Sequence, residues 1–420
     1  MEEINIVIAI ISFLILGMGL IKANIKRSYL SEPLIALLIG VVTGPQILEV
    51  INPFSWKEHH EILHEFTRFT LALAVMASAL RLPTNFLRKN LKSYLLILLA
   101  GMVLMVILSS LFYFIFGLGF WESLLIGAIL APTDPVLATA IVSSNFAYEN
   151  IPARLRNMIT AESASNDGLA FAFVLLPIVA MGRHDLPLID WAKNVLLWQN
   201  IGAIILGVIL GYFTGKAFRF FHKKESMVPK TLMAIALSFT ILVTTLFPII
   251  KMNGIIGVFA AGVAFQALVG DEIETRHEEV QSMMERLFIV PVFVIFGAML
   301  PWTGWKEMPL YAWIITPFVI FLRRIPTLFV LKPFLPVFST KDTFFMGWFG
   351  PIGVAALFYV TLLLTRYPGH EQLWPIVAYA VLFSTVIHAV TANPFSRRLY
   401  HNQKENSKIR HDASNQIKSE

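Results

Sequence analysis

The chain has no cysteine among its 420 residues. Disulfides and thiolate metal sites are therefore excluded, although the compartment is not fixed. Charge is also scarce: 14% of residues are Asp, Glu, Lys or Arg, against 56% that are hydrophobic. A soluble domain carries about 25% charged residues, so this composition does not fit a soluble protein of such length. A basic leader is missing too. The first apolar run opens on Glu2 and Glu3, so it is expected to be a retained helix and not a cleaved signal peptide. Polar stretches large enough for a further domain are lacking. The segment after Ser396 is polar but too short to bury a core.

What is present is a series of apolar runs, each near the roughly 20 residues that span a bilayer as a helix. Thirteen are counted, at about 4–21, 33–50, 66–82, 93–117, 121–143, 154–181, 195–221, 229–250, 254–270, 284–300, 309–331, 342–364 and 373–393. The expected fold is an all-α polytopic membrane protein, with residues 1–395 forming a transmembrane domain and 396–420 a short polar tail. Connections after odd-numbered spans, together with the tail, hold 24 of the 33 Lys and Arg residues, whereas those after even-numbered spans hold 7. Basic residues collect on the cytoplasmic side. The C-terminus is therefore expected in the cytoplasm and the N-terminus outside, in a cell membrane. The net charge of +6 is explained by those loops, without nucleic acid.

Two spans are interrupted. Span 5 carries GAILAPTDPVLATA at 127–140, with Pro132, Thr133, Asp134 and Pro135 at its centre. Span 12 carries GWFGPIG at 347–353. Proline removes a backbone donor and disrupts the helical ladder, and a carboxylate at membrane depth costs about 2.5–3.5 kcal/mol or more. Each break occupies the fifth position of a six-span unit, spans 1–6 and spans 8–13. An offset of seven spans makes those units inverted repeats. Matched interruptions in inverted repeats point to the binding site of a secondary transporter, where unwound backbone and half-helix ends meet an ion. A proline kink in each helix is the plainer reading.

Span 6 contains AESASNDG at 161–168. Ser163 and Asp167 are four residues apart and share one helical stripe; Glu162 and Asn166 share the neighbouring one. Thr133, Asp134, Ser163 and Asp167 supply only oxygen, which suits a hard cation such as sodium. Glu162 is matched by Arg323 or Arg324 of span 11, because membrane-buried arginines are nearly always paired. That pair reads as structural. Beyond those two arginines no basic residue lies in the interior of these spans to neutralise Asp167, which is read as functional.

APTDPV at 131–136 followed by AESASNDG at 161–168 resembles the monovalent cation/proton antiporter family of the sodium/proton exchanger type, especially its prokaryotic electroneutral NhaP-like branch. RLFIVPVFVIFGAML at 286–300, RRIP at 323–326 and GWFGPIG at 347–353 are similar to the same family. The resemblance implies a homodimer with two inverted six-helix repeats and discontinuous helices 5 and 12. Helices 4–6 and 11–13 would form the ion-carrying bundle, and the remainder a dimerisation scaffold. It places the exchanged ion (sodium or lithium, or else potassium) at Thr133, Asp134, Ser163 and Asp167. Asn166 would link the broken helix to helix 6, and Glu162 would pair with Arg324 in preference to Arg323. No cofactor is implied beyond the transported cation and proton. Two positions depart from the family. LALAVMASALRLP at 71–83 lacks the acidic residue many relatives carry in helix 3, leaving Ser78 as its polar group at mid-depth, and Ile352 stands where many have a basic residue.

HEILH at 60–64 matches the HExxH zinc motif, with His60 and His64 on one face and Glu61 as base. It is expected in a polar external loop, and an intramembrane metalloprotease is the reading it would support. His388 is expected to hydrogen-bond between helices, and Gly207, Gly211 and Gly215 to form a close-packing stripe. The expected activity is electroneutral exchange of protons for a monovalent cation. The alternatives are a sodium-coupled organic anion symporter of related architecture, the metalloprotease, and a channel, which would need a continuous polar path.

Overall fold

The computed structural model describes residues 2–20, 31–182, 187–221, 229–270 and 277–400. Residues 21–30, 222–228, 271–276 and the tail from 401 onward lie outside the described residues, and with them 10 of the 24 Lys and Arg residues that place the C-terminus. Among the described residues every regular element is helical.

The helices are α1 (Glu2–Leu20), α2 (Glu32–Thr43), α3 (His59–Arg81), α4 (Leu91–Ile115), α5a (Phe120–Leu130), α5b (Pro135–Val142), α6 (Ala153–Gly182) and α7 (Leu188–Phe221). They continue as α8 (Pro229–Ile249), α9 (Gly254–Val269), α10 (His277–Ala298), α11a (Leu310–Leu322), α11b (Ile325–Leu331), α12a (Thr340–Trp348), α12b (Val354–Arg366) and α13 (Leu373–Tyr400). Short helical turns fill several connections. Each sequence-derived span coincides with one helix or one broken pair. Among the described residues, seven helices are long and apolar enough to cross a membrane, and five shorter apolar helices accompany them.

α2 ends at Thr43, short of the expected 50, whereas four helices extend several residues beyond their expected spans, α10 starting at His277 and not 284. α3 starts at His59, so HEILH lies on a helix and not in a loop. α7 starts several residues before 195, with widened turns over Trp191–Gly202. α13 runs to Tyr400, so residues 396–400 are helical, with Ser396 and Tyr400 buried. In each of these four, polar residues extend a helix beyond its apolar run, where hydropathy gives no signal.

Glycine lets helices approach closely where lipid offers no hydrophobic drive for association. A Cβ at Gly207 or Gly211 of α7 would stand 2.5 or 2.2 Å from the carbonyl oxygens of Gly257 and Ala261 on α9. The expected glycine stripe is thus a helix–helix contact. Large apolar side chains such as Phe13, Ile205 and Phe213 are exposed on the outer faces of α1 and α7. A backbone carbonyl freed by proline in α8 is satisfied from a neighbouring helix. Pro248 cannot donate to the Thr244 carbonyl of α8, and Arg68 of α3 donates to that oxygen instead, at 3.1 Å.

Candidate functional site: a crossing of two broken helices

The unwound segments of helices 5 and 12 meet. The main-chain N–H of Asp134 donates to the Pro351 carbonyl at 2.8 Å. Two helix C-termini (α5a, α12a) and two N-termini (α5b, α12b) are thereby brought together inside the protein. Helix ends leave orphan backbone groups and carry partial charges, positive at the N-terminus and negative at the C-terminus.

Asp134 serves both N-termini. Its Oδ1 accepts from the N–H groups of Val136, at 2.7 Å, and Leu137, at 3.4 Å, capping α5b. Its Oδ2 accepts from the N–H of Val354, the first residue of α12b. Pro135 follows at the first helical position, where its missing N–H costs nothing. Only glycine fits beside this carboxylate: a Cβ at Gly353 would lie 2.0 Å from Asp134 Oδ2.

Arg323 serves both C-termini. It donates to the carbonyls of Ala131, just past α5a, and of Gly350, just past α12a, the latter at 2.7 Å. It is completely buried. Helix 11 is itself broken here, with Arg323 and Arg324 in a turn between α11a and α11b. That interruption was not anticipated. Its signal is Pro326, which has no N–H to donate to the Leu322 carbonyl one turn back.

Arg324, not Arg323, binds Glu162. The contact is bidentate, Nη1 to Oε1 at 2.8 Å and Nη2 to Oε2 at 2.7 Å, and both side chains are buried. Arg324 Nε donates further to the Met346 carbonyl of α12a at 2.8 Å. The guanidinium fork thus joins helices 6, 11 and 12.

Asn166 ties helix 6 to the break. Its Nδ2 donates to Thr133 Oγ1 and to Glu162 Oε1, each at 2.8 Å, and its Oδ1 accepts from the Thr133 N–H at 3.1 Å. Thr133 Oγ1 lies 3.0 Å from Ser163 Oγ. Thr133 therefore touches both stripes of α6.

Asp167 differs from every other charged group here. It is fully buried, and neither carboxylate oxygen has a hydrogen-bond partner among the described residues. The charges within electrostatic reach are Asp134 and Glu162, both acidic. Buried polar atoms are usually hydrogen-bonded and buried charges paired, so this carboxyl stands ready for a positive partner.

Ser78 is buried on α3 and accepts from Arg81 Nη2 at 3.3 Å, within its own helix. Ile352 is buried in the second break, and its N–H donates to Ser384 of α13 at 2.7 Å. His388 brings Nε2 to 3.0 Å from the Trp348 carbonyl, a contact between α13 and the end of α12a. Sequence reasoning missed Ser384 and also Tyr359, whose hydroxyl donates to the Asp167 carbonyl. Neither belongs to a recognisable pattern in its helix.

The HEILH residues are engaged elsewhere. His64 stacks on Phe358 of α12b, with centroids 4.9 Å apart, and its Nδ1 is 3.2 Å from Thr361 Oγ1. His60 meets the ring of Trp374, and Glu61 lies 3.9 Å from Arg366. Among the described residues, no third His, Cys, Asp or Glu joins a pair to form a metal-holding group.

The sequence model of the family described as sodium/hydrogen exchanger, transmembrane, matches residues 9–398. The Na(+)/H(+) antiporter 2 of Zygosaccharomyces rouxii is 32% identical over 86% of this chain and 49% of its own length. The Na(+)/H(+) antiporter of Saccharomyces cerevisiae is 30% identical over 86% of this chain and 40% of its own length. The chain thus spans about half the length of these relatives. The structure is similar to that of the sodium proton antiporter MjNhaP1 from Methanocaldococcus jannaschii, with a TM-score of 0.74, 18% identity and coverage of 94% of this chain and 98% of that one. That likeness shows a shared fold.

Proposed function

Because the chain belongs to the sodium/hydrogen exchanger family, we propose that it exchanges protons for a monovalent cation, sodium or lithium, across a cell membrane. The observation that carries this reading is the buried Asp167 carboxyl, which has no hydrogen-bond partner among the described residues and lies one helical turn from Ser163, which touches Thr133. A carboxyl there is neutralised by a proton or by a cation, one at a time. Thr133 and Ser163 add uncharged oxygens, and Asp134 adds a second carboxylate within electrostatic reach. The set is all oxygen, as hard cations favour.

The four acidic and basic side chains around the crossing have separate tasks. Glu162 and Arg324 neutralise each other and brace helices 6, 11 and 12. Arg323 offsets the carbonyl ends. Asp134 is partly committed to amide ends, so it is a weaker ligand than Asp167 and acts chiefly through its charge. Asn166, an amide, does not titrate at this position. One titratable site therefore remains to carry either cargo, and the exchange is one proton per monovalent cation with no net charge moved. Helices 4–6 and 11–13 form the moving bundle, and two chains make the working dimer. The C-terminus faces the cytoplasm and the N-terminus the outside.

Sodium-coupled import of an organic anion would need a free basic group in the site. Both arginines of helix 11 are already engaged, which favours exchange. The test is proton flux in vesicles holding the purified protein, driven in turn by sodium, lithium and potassium. Sodium- or lithium-driven flux supports the reading. Flux with potassium alone changes the cargo, and none with any of the three overturns it.

A further inference from the structure

Two consecutive carbonyls of α6, those of Asp167 and Gly168, accept hydrogen bonds from side chains of other helices. The Gly168 carbonyl accepts from Asn253 Nδ2 at 2.7 Å. Asn253 caps α9 through its Oδ1 and is also bonded to Asn200 of α7, at 2.9 Å. The Asp167 carbonyl accepts from the Tyr359 hydroxyl of α12b, which is also within hydrogen-bond reach of the Phe171 N–H. Asp167 and Phe171 are the two ends of one rung of the α6 ladder, so the hydroxyl engages that rung from outside. Tyr359 is completely buried. A tyrosine in an apolar helix needs a partner for its hydroxyl, and this one takes the turn that carries Asp167.

α12b holds both carboxylate-bearing segments. Its first N–H, at Val354, binds Asp134 Oδ2, and its Tyr359 binds the Asp167 backbone. Asp134 sits in an unwound segment and Asp167 within a continuous helix, so their spacing is not set by one backbone. α12b is a common ruler for them. Gly168 packs so tightly on α9 that a Cβ there would lie 2.7 Å from Ile256 main-chain atoms. The Asp167 turn is thus held on one side by α9 and on the other by Tyr359.

We propose that Tyr359 is a positioning residue for the exchange: its hydroxyl fixes the Asp167 turn to α12b, and so sets the distance between the Asp167 and Asp134 oxygens that receive the cation. Tyr359 does not itself touch the cargo. The inference rests on the site read above, and removing the hydroxyl tests it apart from that reading.

Tyr359→Phe keeps the ring, and the Asp167–Phe171 rung still closes, so the variant folds. The measurements are cation-driven proton flux against sodium and lithium concentration, together with the rise in thermal stability that sodium gives the purified protein. The apparent KM for sodium is expected to rise about three- to tenfold, the worth of one hydrogen bond, with the maximal rate nearly kept. The ratio of sodium to lithium KM should change, and the sodium-induced thermal shift should need correspondingly more sodium. Loss of thermal stability and maximal rate with an unchanged KM would make Tyr359 merely structural and overturn the inference, as would wild-type values throughout. Asp167→Asn is measured alongside. If it still exchanges cations, the site reading fails; if it is inactive while Tyr359→Phe is unaltered, only the inference on Tyr359 fails.

Discussion

Asp134 and Arg323 serve the same two broken helices from opposite ends. Asp134 holds the amides that begin α5b and α12b, and Arg323 the carbonyls that follow α5a and α12a. A crossing of four helix ends inside a membrane protein would otherwise leave orphan groups of both signs without water. One anion and one cation answer them pairwise. The unwound backbone can therefore remain unwound, which is what lets it line a site for an ion.

Replacing Arg323 should accordingly damage the fold at both breaks. Arg323→Met leaves the Ala131 and Gly350 carbonyls unsatisfied, at about 1–3 kcal/mol each. Thermal unfolding in detergent should show a marked loss, and removing Glu162 as well should not restore it. Recovery in that double variant would mean that Arg323 is the partner of Glu162.

Arg324 should behave in the opposite way. Glu162→Ala or Arg324→Ala leaves a buried charge uncompensated, at about 3–5 kcal/mol. Replacing both by apolar residues should regain part of that stability. The same unfolding measurement decides it: two single variants as stable as the parent would contradict a buried pair.

Gly353→Ala should impair transport before stability. The added methyl lies 2.0 Å from Asp134 Oδ2, so the carboxylate must turn away from the Val354 N–H. A higher sodium requirement for half-maximal proton flux is expected. Unchanged flux would show that Asp134 is free to move without consequence.

His60→Ala should leave exchange running, since His60 packs on Trp374 and is not part of the ion site. Abolished flux in a stably folded variant would contradict that placement.

Much of this arrangement was legible in the sequence. Hydropathy located the helices, because an apolar run of spanning length has few other fates. The two interruptions were visible because proline and glycine stand inside such runs, and spacing on α6 separated Ser163 and Asp167 from Glu162 and Asn166. The division of labour between Arg323 and Arg324 was less legible. Adjacent residues in a helix point about 100° apart, but the break at that point reorients them, and only coordinates tell which faces Glu162. The role of Asp134 as a double cap was also hidden. Its APTDPV context marks an N-cap for α5b, whereas the contact with Val354 depends on a helix about 220 residues away. HEILH, expected in a loop, was also incompletely legible. Its motif describes one helix face, and what that face packs against is a tertiary fact.

The central claim is that one buried carboxyl site, built on Asp167 with Asp134 beside it, holds either a proton or a cation. Asp167→Asn supplies the first check, since an amide cannot exchange a proton. The folded variant should show no cation-driven proton flux.

The most direct test is exchange rate against pH at several sodium concentrations, with and without an imposed membrane potential. Competition makes protons block the site at low pH, so the rate should fall there. More sodium should move that acid limb to lower pH. At high pH the rate should fall again for want of a proton to return, and the potential should have no effect on a one-for-one exchange. An acid limb indifferent to sodium would contradict competition at a shared site.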